Sequence, residues 1–340
     1  MALLDIKNLT LEIATSQGYV KALEKISLTV NAGEIKALVG ESGSGKSLIV
    51  STIVGAIPSD WKVTADRMTW QNKDLLDLSS EERQRIMRSD IGVIFQNPIS
   101  SLDPSVKIGE QLTESIPSHM VNKGWFWQRK QQKSAIATKQ LSRVGIHDPA
   151  ICLSSYPHEI SADICQRLMI AMALVREPQL LIADDPTRGM EVSTKNQILE
   201  LLVALNRSRE LSILFVSHDL LAISSMCHTM TVLYCGQTVE NGKIKQLRRR
   251  PLHPYTQGLM NSAPSFAQNL KAKAPLHALE GTIPPLTHLP IGCRLGPRCP
   301  RAQKECVKTP ETRYIHGHSY ACRFPLHLDI EKTDDTPAES

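Results

Sequence analysis

Two stretches near the start of the chain, residues 2–13 and 20–30, alternate apolar and polar positions. Period-2 alternation predicts two half-buried strands. Later apolar runs are short and continuous: Glu34–Val39, Ile91–Phe95, Gln179–Ala183 and Ser212–Val216. Such runs predict strands covered on both faces, as in a doubly wound sheet. Further strands are expected around Arg67–Gln71, over 229–234 and over 237–240. Helices are expected from Ser47 to about Ile57, after Ser79-Ser80-Glu81-Glu82, over 163–176 and over 193–207. Residues 107–145 read as helical but interrupted. The pattern predicts an α/β fold.

Composition adds limits. The 340 residues suffice for one large domain and an appendage, and the net charge of +5 permits anionic contacts without identifying one. The longest clean apolar run, Leu168–Val175, falls short of the ~18–20 residues that span a bilayer. Met1-Ala2-Leu3-Leu4-Asp5 has no basic flank, so a soluble, intracellular chain is expected, in which eight cysteines are not a disulfide framework. Past residue 246 come Arg248-Arg249-Arg250 and prolines at 251, 254, 264, 275, 284, 285, 290, 297 and 300. The expected division is a main domain over 1–245, a proline- and cysteine-rich segment over 246–328, and an acidic, disordered tail over 329–340.

The chemistry begins at Gly40-Glu41-Ser42-Gly43-Ser44-Gly45-Lys46-Ser47, a G-x-x-x-x-G-K-[ST] loop between a predicted strand and a predicted helix. Backbone N–H groups at a helix N-terminus suit a polyphosphate, and Gly43 and Gly45 let the backbone curl close to it. Lys46 is placed to reach the outer phosphates and Ser47 to offer its hydroxyl to Mg²⁺. An ordinary Gly/Ser turn would not require Lys and Ser at this spacing.

Three other strands end in polar groups: Ile94-Phe95 before Gln96-Asn97-Pro98, Leu181-Ile182-Ala183 before Asp184-Asp185, and Val216-Ser217 before His218. In doubly wound sheets ligands sit beyond the carboxyl ends of strands. Asp184 is therefore a candidate to hold Mg²⁺, Asp185 to face an attacking water, and His218 to bond a γ-phosphate. Singly, each has a plainer reading, as an N-cap or a structural histidine. Tyr19, beside the turn Ser16-Gln17-Gly18, is a candidate base-stacking platform, though a lone tyrosine is more often packing. Lys123-Gly124-Trp125-Phe126-Trp127-Gln128-Arg129-Lys130 reads either as a docking patch for a membrane partner or headgroup zone, or as tryptophans tucked into the helical core.

Residues 3–245 resemble the ATP-binding subunit of ABC transporters. By that resemblance Gly40–Ser47 is the Walker A loop, Gln96 the Q-loop glutamine and a Mg²⁺ ligand, Leu180–Asp184 Walker B, His218 the switch histidine and Tyr19 the adenine-stacking aromatic. Pro251-Leu252-His253-Pro254-Tyr255-Thr256 and the late cysteines are similar to the oligopeptide/dipeptide branch. The resemblance implies an α/β ABC-type P-loop nucleotide-binding domain, with a mixed sheet and a helical subdomain at about 100–170, and an ATPase powering peptide import, including antimicrobial-type peptides. It implies a second ATPase subunit, two membrane-spanning permease subunits, indirectly a periplasmic peptide-binding protein, and a peripheral place on the cytoplasmic face of the bacterial inner membrane. Catalysis would fall to Asp185, His218 and Gln96, and nucleotide binding to Tyr19, Gly40, Ser42, Gly43, Ser44, Gly45, Lys46, Ser47 and Asp184.

The departures from the family are specific. The signature stretch is Ile160-Ser161-Ala162-Asp163-Ile164, where Leu-Ser-Gly-Gly-Gln is usual. Ser161 would still face the nucleotide of the partner, whereas Asp163 adds a negative charge where phosphate is expected. Asp185 replaces the family's Glu, and the next loop reads Arg188-Gly189-Met190-Glu191. These changes suggest a heterodimer, and as the alternative function a regulatory subunit with weak hydrolysis.

Cys293, Cys299, Cys306 and Cys322 are spaced C-x₅-C-x₆-C-x₁₅-C. Four thiolates can hold Zn²⁺ or an iron–sulfur cluster; spacing alone does not decide, zinc is the default for so wide a pattern, and the resemblance favours [4Fe–4S]. Unliganded structural cysteines are the plainer reading, less expected in so proline-rich a segment. His316 and His318 are alternative ligands. Cysteines 152, 165, 227 and 235 read as packing residues. Two other classes compete: a soluble ABC protein acting on nucleic acid or ribosomes, and a metal-binding redox sensor with a vestigial ATPase. The first lacks its paired nucleotide domains or long coiled-coil insertion, and no nucleic-acid partner is expected.

Overall fold

A computed structural model describes residues 1–16, 18–96, 99–122, 124–262 and 279–327. Gln17, Asn97, Pro98, Lys123, Pro264, Pro275 and the expected tail at 329–340 lie outside the described residues.

The early alternating stretches form a long antiparallel pair, Ala2–Thr15 with Gly18–Asn31. Lys62–Thr64, Arg67–Trp70 and Lys73–Asp74 complete a five-stranded antiparallel sheet. The continuous apolar runs form the centre of an eight-stranded sheet. Thr229–Tyr234, Ile35–Val39, Ser212–Ser217, Leu180–Asp184 and Ile91–Ile94 lie side by side and parallel. All of their ends therefore point to one rim.

These strands are largely apolar because both faces are covered. Leu38, Leu180, Ile182, Leu214 and Val216 pack with Ile49, Val50 and Ile53 of the helix Lys46–Val54 and with the antiparallel sheet. Their neighbours Ala37, Val39, Leu181, Ala183, Ile213 and Phe215 face the helical layer. Successive side chains point to opposite faces, so one sheet serves two cores.

The helix after the phosphate loop ends at Val54, three residues before the expected Ile57. Gly55 adopts φ 78°, and Ala56 N–H returns to Ser51 O at 2.9 Å. This left-handed glycine cap closes the helix where periodicity alone would continue it. The helix Ser80–Ser89 begins as expected, with Ser79 and Glu82 forming a reciprocal capping box.

The helical layer contains Ile108–Ser115, Phe126–Arg143, Pro149–Ser154 and Ala162–Leu174. Trp125, Phe126 and Trp127 are 81, 70 and 73% exposed, so they are not tucked into the helical core. Only the far half of their helix, at Ala137, Gln140 and Leu141, is buried.

The late segment is more integrated than its loop-rich sequence suggests. Gln237–Lys243 pairs with His318–Tyr320, which pairs with Arg313–Ile315, so a late hairpin forms the edge of the main sheet. Glu240 anchors this arrangement at 0% exposure. Its carboxylate accepts from Leu252 N–H at 2.7 Å, His253 N–H at 2.9 Å and His318 Nε2 at 2.6 Å. His318 is thereby committed to Glu240, which corrects its reading as a metal ligand. Among the described residues no helix is long and apolar enough to cross a membrane.

Replacing Glu240 by Ala would leave two backbone N–H groups and His318 buried without their acceptor. The expected loss is about 3–5 kcal/mol of unfolding free energy, read from urea denaturation.

Candidate active site

The loop leaves the strand Ile35–Val39 and enters the helix Lys46–Val54 through two left-handed glycines, Gly43 at φ 83° and Gly45 at φ 104°. An added Cβ on Gly45 would also stand 2.7 Å from Leu23 Cδ2. The turn is tightened by Ser44 N–H to Glu41 O at 3.1 Å, and Ser44 is fully buried. Ser42 is exposed on the outside of the curve.

Lys46 folds over this curve. Its Nζ donates to Gly40 O at 2.7 Å and Glu41 O at 2.9 Å, and lies 3.5 Å from Ser44 Oγ. Burial lowers its pKa, while the charges of Asp185, Asp184 and Glu41 pull the other way. Ser47 Oγ donates to Asp184 Oδ2 at 3.1 Å, joining the loop to the end of the strand Leu180–Asp184. Burial raises the Asp184 carboxyl above the ordinary range, the Ser47 hydroxyl lowers it, Asp185 raises it and Lys46 lowers it. A hydroxyl beside a carboxylate is an oxygen donor set of the kind a hard divalent cation takes.

Asp185 is buried and adopts φ 44°, held by its N–H to Val216 O at 2.8 Å. This left-handed turn redirects its side chain from the strand axis towards the neighbouring strand ends. There Asp185 Oδ2 meets Gln96 Nε2 at 3.5 Å and His218 Nδ1 at 3.3 Å. The parallel register thus brings three separate strand ends onto one carboxylate oxygen. His218 is 60% exposed and Asp185 only 9% by side chain, so the pair has one open side. Asp219, next in sequence, instead caps the helix Leu220–Met226 and pairs with Lys195.

Other expected residues lie elsewhere. Tyr19 is 49% exposed on the antiparallel sheet, with Lys62 Nζ 3.9 Å from its ring centroid. Ser161 caps the helix Ala162–Leu174, its Oγ accepting from Ile164 N–H at 3.3 Å. Asp163 is paired with Arg167 Nε at 3.3 Å, so its charge is partly compensated by its own helix.

The four late cysteines converge. Cys293, Cys299, Cys306 and Cys322 line one small cavity, together with the basic residues Arg301, Lys308 and Arg323. Burial raises the Cys293 and Cys299 thiols, and burial with the other three cysteines pushes Cys322 up to about 11. Among the described residues, however, no three His, Cys, Asp or Glu side chains form a group that could hold a single metal ion. His316 stands at a turn with φ 47°. Cysteines 152, 165 and 235 are buried packing residues, and Cys227 is half-buried.

The loop is also supported from outside by Glu24, Tyr255, Arg294 and Arg298, to none of which the sequence motifs assign a role. Tyr255 is fully buried, and its Oη accepts from Glu41 N–H at 2.9 Å. The signal available was Tyr255 within the late proline motif, and arginines directly following or preceding cysteines.

A phosphate loop whose lysine faces paired strand-end acids, below a glutamine and a histidine, defines an ATP-binding cassette. The chain belongs to the ABC transporter family, which matches residues 23–188, and the oligopeptide/dipeptide transporter C-terminal region matches residues 239–306. Along nearly its whole length it is similar to the peptide transport system ATP-binding protein SapD. The Salmonella typhimurium protein is 49% identical, with 97% of this chain and 100% of the relative covered. The Haemophilus influenzae SapD is 46% identical over 99% and 97% of the two chains. The dipeptide transport ATP-binding protein DppD of Escherichia coli is 37% identical over 96% and 98%. The dimeric ABC transporter cassette MJ0796 superposes with a TM-score of 0.61 over 71% of this chain and 98% of that one, at 24% identity. At that identity the likeness concerns the fold alone.

Burial makes the ionised form of Asp184 costly in the folded chain. Because its folded pKa lies above the unfolded value of 3.8, the folded state holds its proton more tightly. Its charge therefore destabilises the fold above the raised pKa, and that penalty fades as pH falls through the raised pKa towards 3.8. Asp184→Asn is expected to raise the melting temperature of the nucleotide-free chain at pH 7, with the difference shrinking on acidification. Differential scanning calorimetry across pH checks this.

Proposed function

We propose that this chain is the ATP-binding, ATP-hydrolysing subunit of a peptide import complex, taking peptides that include the antimicrobial type. The single observation that carries the reading is the convergence of Gln96 and His218 on Asp185 Oδ2, beside Lys46 and Asp184. The loop amides from Gly40 through Ser42, Gly43, Ser44 and Gly45 cradle the phosphates, and Lys46 leaves its backbone carbonyls for the outer ones. Ser47, Gln96 and Asp184 would hold Mg²⁺, which neutralises phosphate charge when bound. Asp185 orients the attacking water, and His218, touching the same oxygen, senses the γ-phosphate. Tyr19 stacks the adenine once Lys62 yields or on its free face. Ser161 would serve the nucleotide of a partner ATPase, as its place in the signature stretch implies.

The alternative of a regulatory subunit is not favoured. The strand-end groups are assembled rather than dispersed, and Asp163 carries its own counter-ion, which tempers the repulsion expected from its charge. The relatives carry the name of peptide transport ATP-binding proteins. Two permease subunits, a second ATPase subunit and, indirectly, a periplasmic peptide-binding protein complete the assembly. The chain would lie against the cytoplasmic face of the inner membrane.

Asp185→Asn is expected to leave ATP binding within about threefold of wild type and to lower hydrolysis by the assembled complex about 10²-fold or more. Asp185→Glu, which extends the carboxylate by one methylene, is expected to keep or raise the rate. A variant Asp185→Asn that hydrolyses at the wild-type rate removes Asp185 from the reaction.

We also propose that Cys293, Cys299, Cys306 and Cys322 would hold a [4Fe–4S] cluster rather than Zn²⁺. Four thiols around one cavity, with three cationic neighbours, suit a negatively charged group larger than one ion. Such a group would supply cross-links that staple a segment poor in regular structure. Anaerobic purification is expected to yield brown protein with iron and acid-labile sulfide in matching amounts, and colourless protein containing zinc would reverse the assignment.

A further inference from the structure

The phosphate loop is held from outside by the segment that carries the late cysteines. Arg298 precedes Cys299, and its side chain is only 8% exposed. Its Nη1 donates to Glu41 Oε2 at 3.1 Å and its Nη2 lies 3.4 Å from Glu41 Oε1, a two-point fork onto the second residue of the loop. The same guanidinium is fixed from behind by Nε to Glu280 O at 2.9 Å and Nη2 to Leu279 O at 3.2 Å. A planar fork anchored on both sides cannot swing without releasing several bonds at once.

Arg294, next to Cys293, reaches the turn that backs the other end of the loop. Its Nη1 donates to Cys235 O at 2.5 Å and its Nη2 to Glu24 Oε2 at 2.7 Å. These bonds fix the turn at Cys235-Gly236, whose Gly236 N–H donates to Ser44 O at 2.8 Å. That turn has little latitude, because a Cβ on Gly236 would stand 2.0 Å from Ala22 O. Glu41 and Ser44 bracket Gly43, the first of the two left-handed glycines of the anion cradle, and the carbonyl of Glu41 also receives Lys46 Nζ.

We propose that Arg298 and Arg294 are positioning residues of the ATP site, through which the cysteine-bearing segment sets the curve of the phosphate loop and hence its affinity for nucleotide. The proposal rests on the ATP-binding reading above. Arg298 acts through the Glu41 side chain and Arg294 through the turn that holds Ser44, so both set the loop's shape indirectly. Linkage makes the effect reciprocal, so occupied nucleotide steadies the segment in return.

The test uses the full-length chain as isolated, titrated with a fluorescent N-methylanthraniloyl ATP, with amide hydrogen exchange followed over residues 293–322. Arg298→Ala is expected to weaken binding about tenfold, and Arg298→Lys to recover only part, because an ammonium cannot make the fork. Glu41→Gln should weaken binding, and the double variant Arg298→Ala/Glu41→Gln should be no weaker than Arg298→Ala. Nucleotide should slow exchange over 293–322 in the wild type and not in Arg298→Ala. Should Arg298→Ala fail to fold by circular dichroism, Arg298→Lys and Glu41→Gln carry the same comparison. Variants that bind within about twofold of wild type, or wild-type exchange unmoved by bound nucleotide, overturn the inference. A wild-type chain that binds no nucleotide instead overturns the ATP-binding reading on which it rests.

Discussion

A buried lysine and two buried carboxylates stand together at the ends of parallel strands, and none of the three would be stable there alone. Lys46 is held by the carbonyls of Gly40 and Glu41, while Asp184 leans on the Ser47 hydroxyl. Desolvation pushes both groups towards neutrality, and their mutual attraction opposes it. A site in this condition is primed for an anion with its counter-cation, because incoming charge compensates groups the protein has already desolvated.

The parallel sheet makes that concentration possible. Five strands in one direction bring five carboxyl ends to one rim, and alternating side chains bury both faces beneath them. With the sheet fully covered, the rim is where polar side chains can meet a ligand. Asp185 uses a left-handed backbone to turn from its own strand towards Gln96 and His218. The backbone strain at that residue serves the geometry of the site.

The late segment is tied to the same site by a buried carboxylate and two arginines. Glu240 gathers the chain at Leu252 and His253 and the hairpin at His318, and this places Tyr255 beneath Glu41. From between the cysteines, Arg298 then reaches the loop at Glu41 and Arg294 the supporting turn at Cys235. The region that looks most like an appendage by composition contributes directly to the walls of the nucleotide loop.

Much of this was legible in the order of residues. The phosphate loop, the buried strands and the polar residues at their ends follow from local rules: glycine where φ is positive, apolar runs where both faces are covered, and acids at strand ends. The four cysteines were legible as a group from spacing, though not as one cavity. The exposure of Trp125 and Trp127 could not be read locally, since an aromatic pair at a helix start suits a core or a surface equally. The commitment of His318 to Glu240 depends on a pairing 78 residues apart, and that of Arg298 to Glu41 on one 257 apart. The sequence by itself determined the chemistry available and the strands that carry it, because those depend on neighbours along the chain. Only the tertiary structure decided which charged groups meet, because a buried charge takes its partner from whatever the fold brings within hydrogen-bond reach, regardless of separation in sequence.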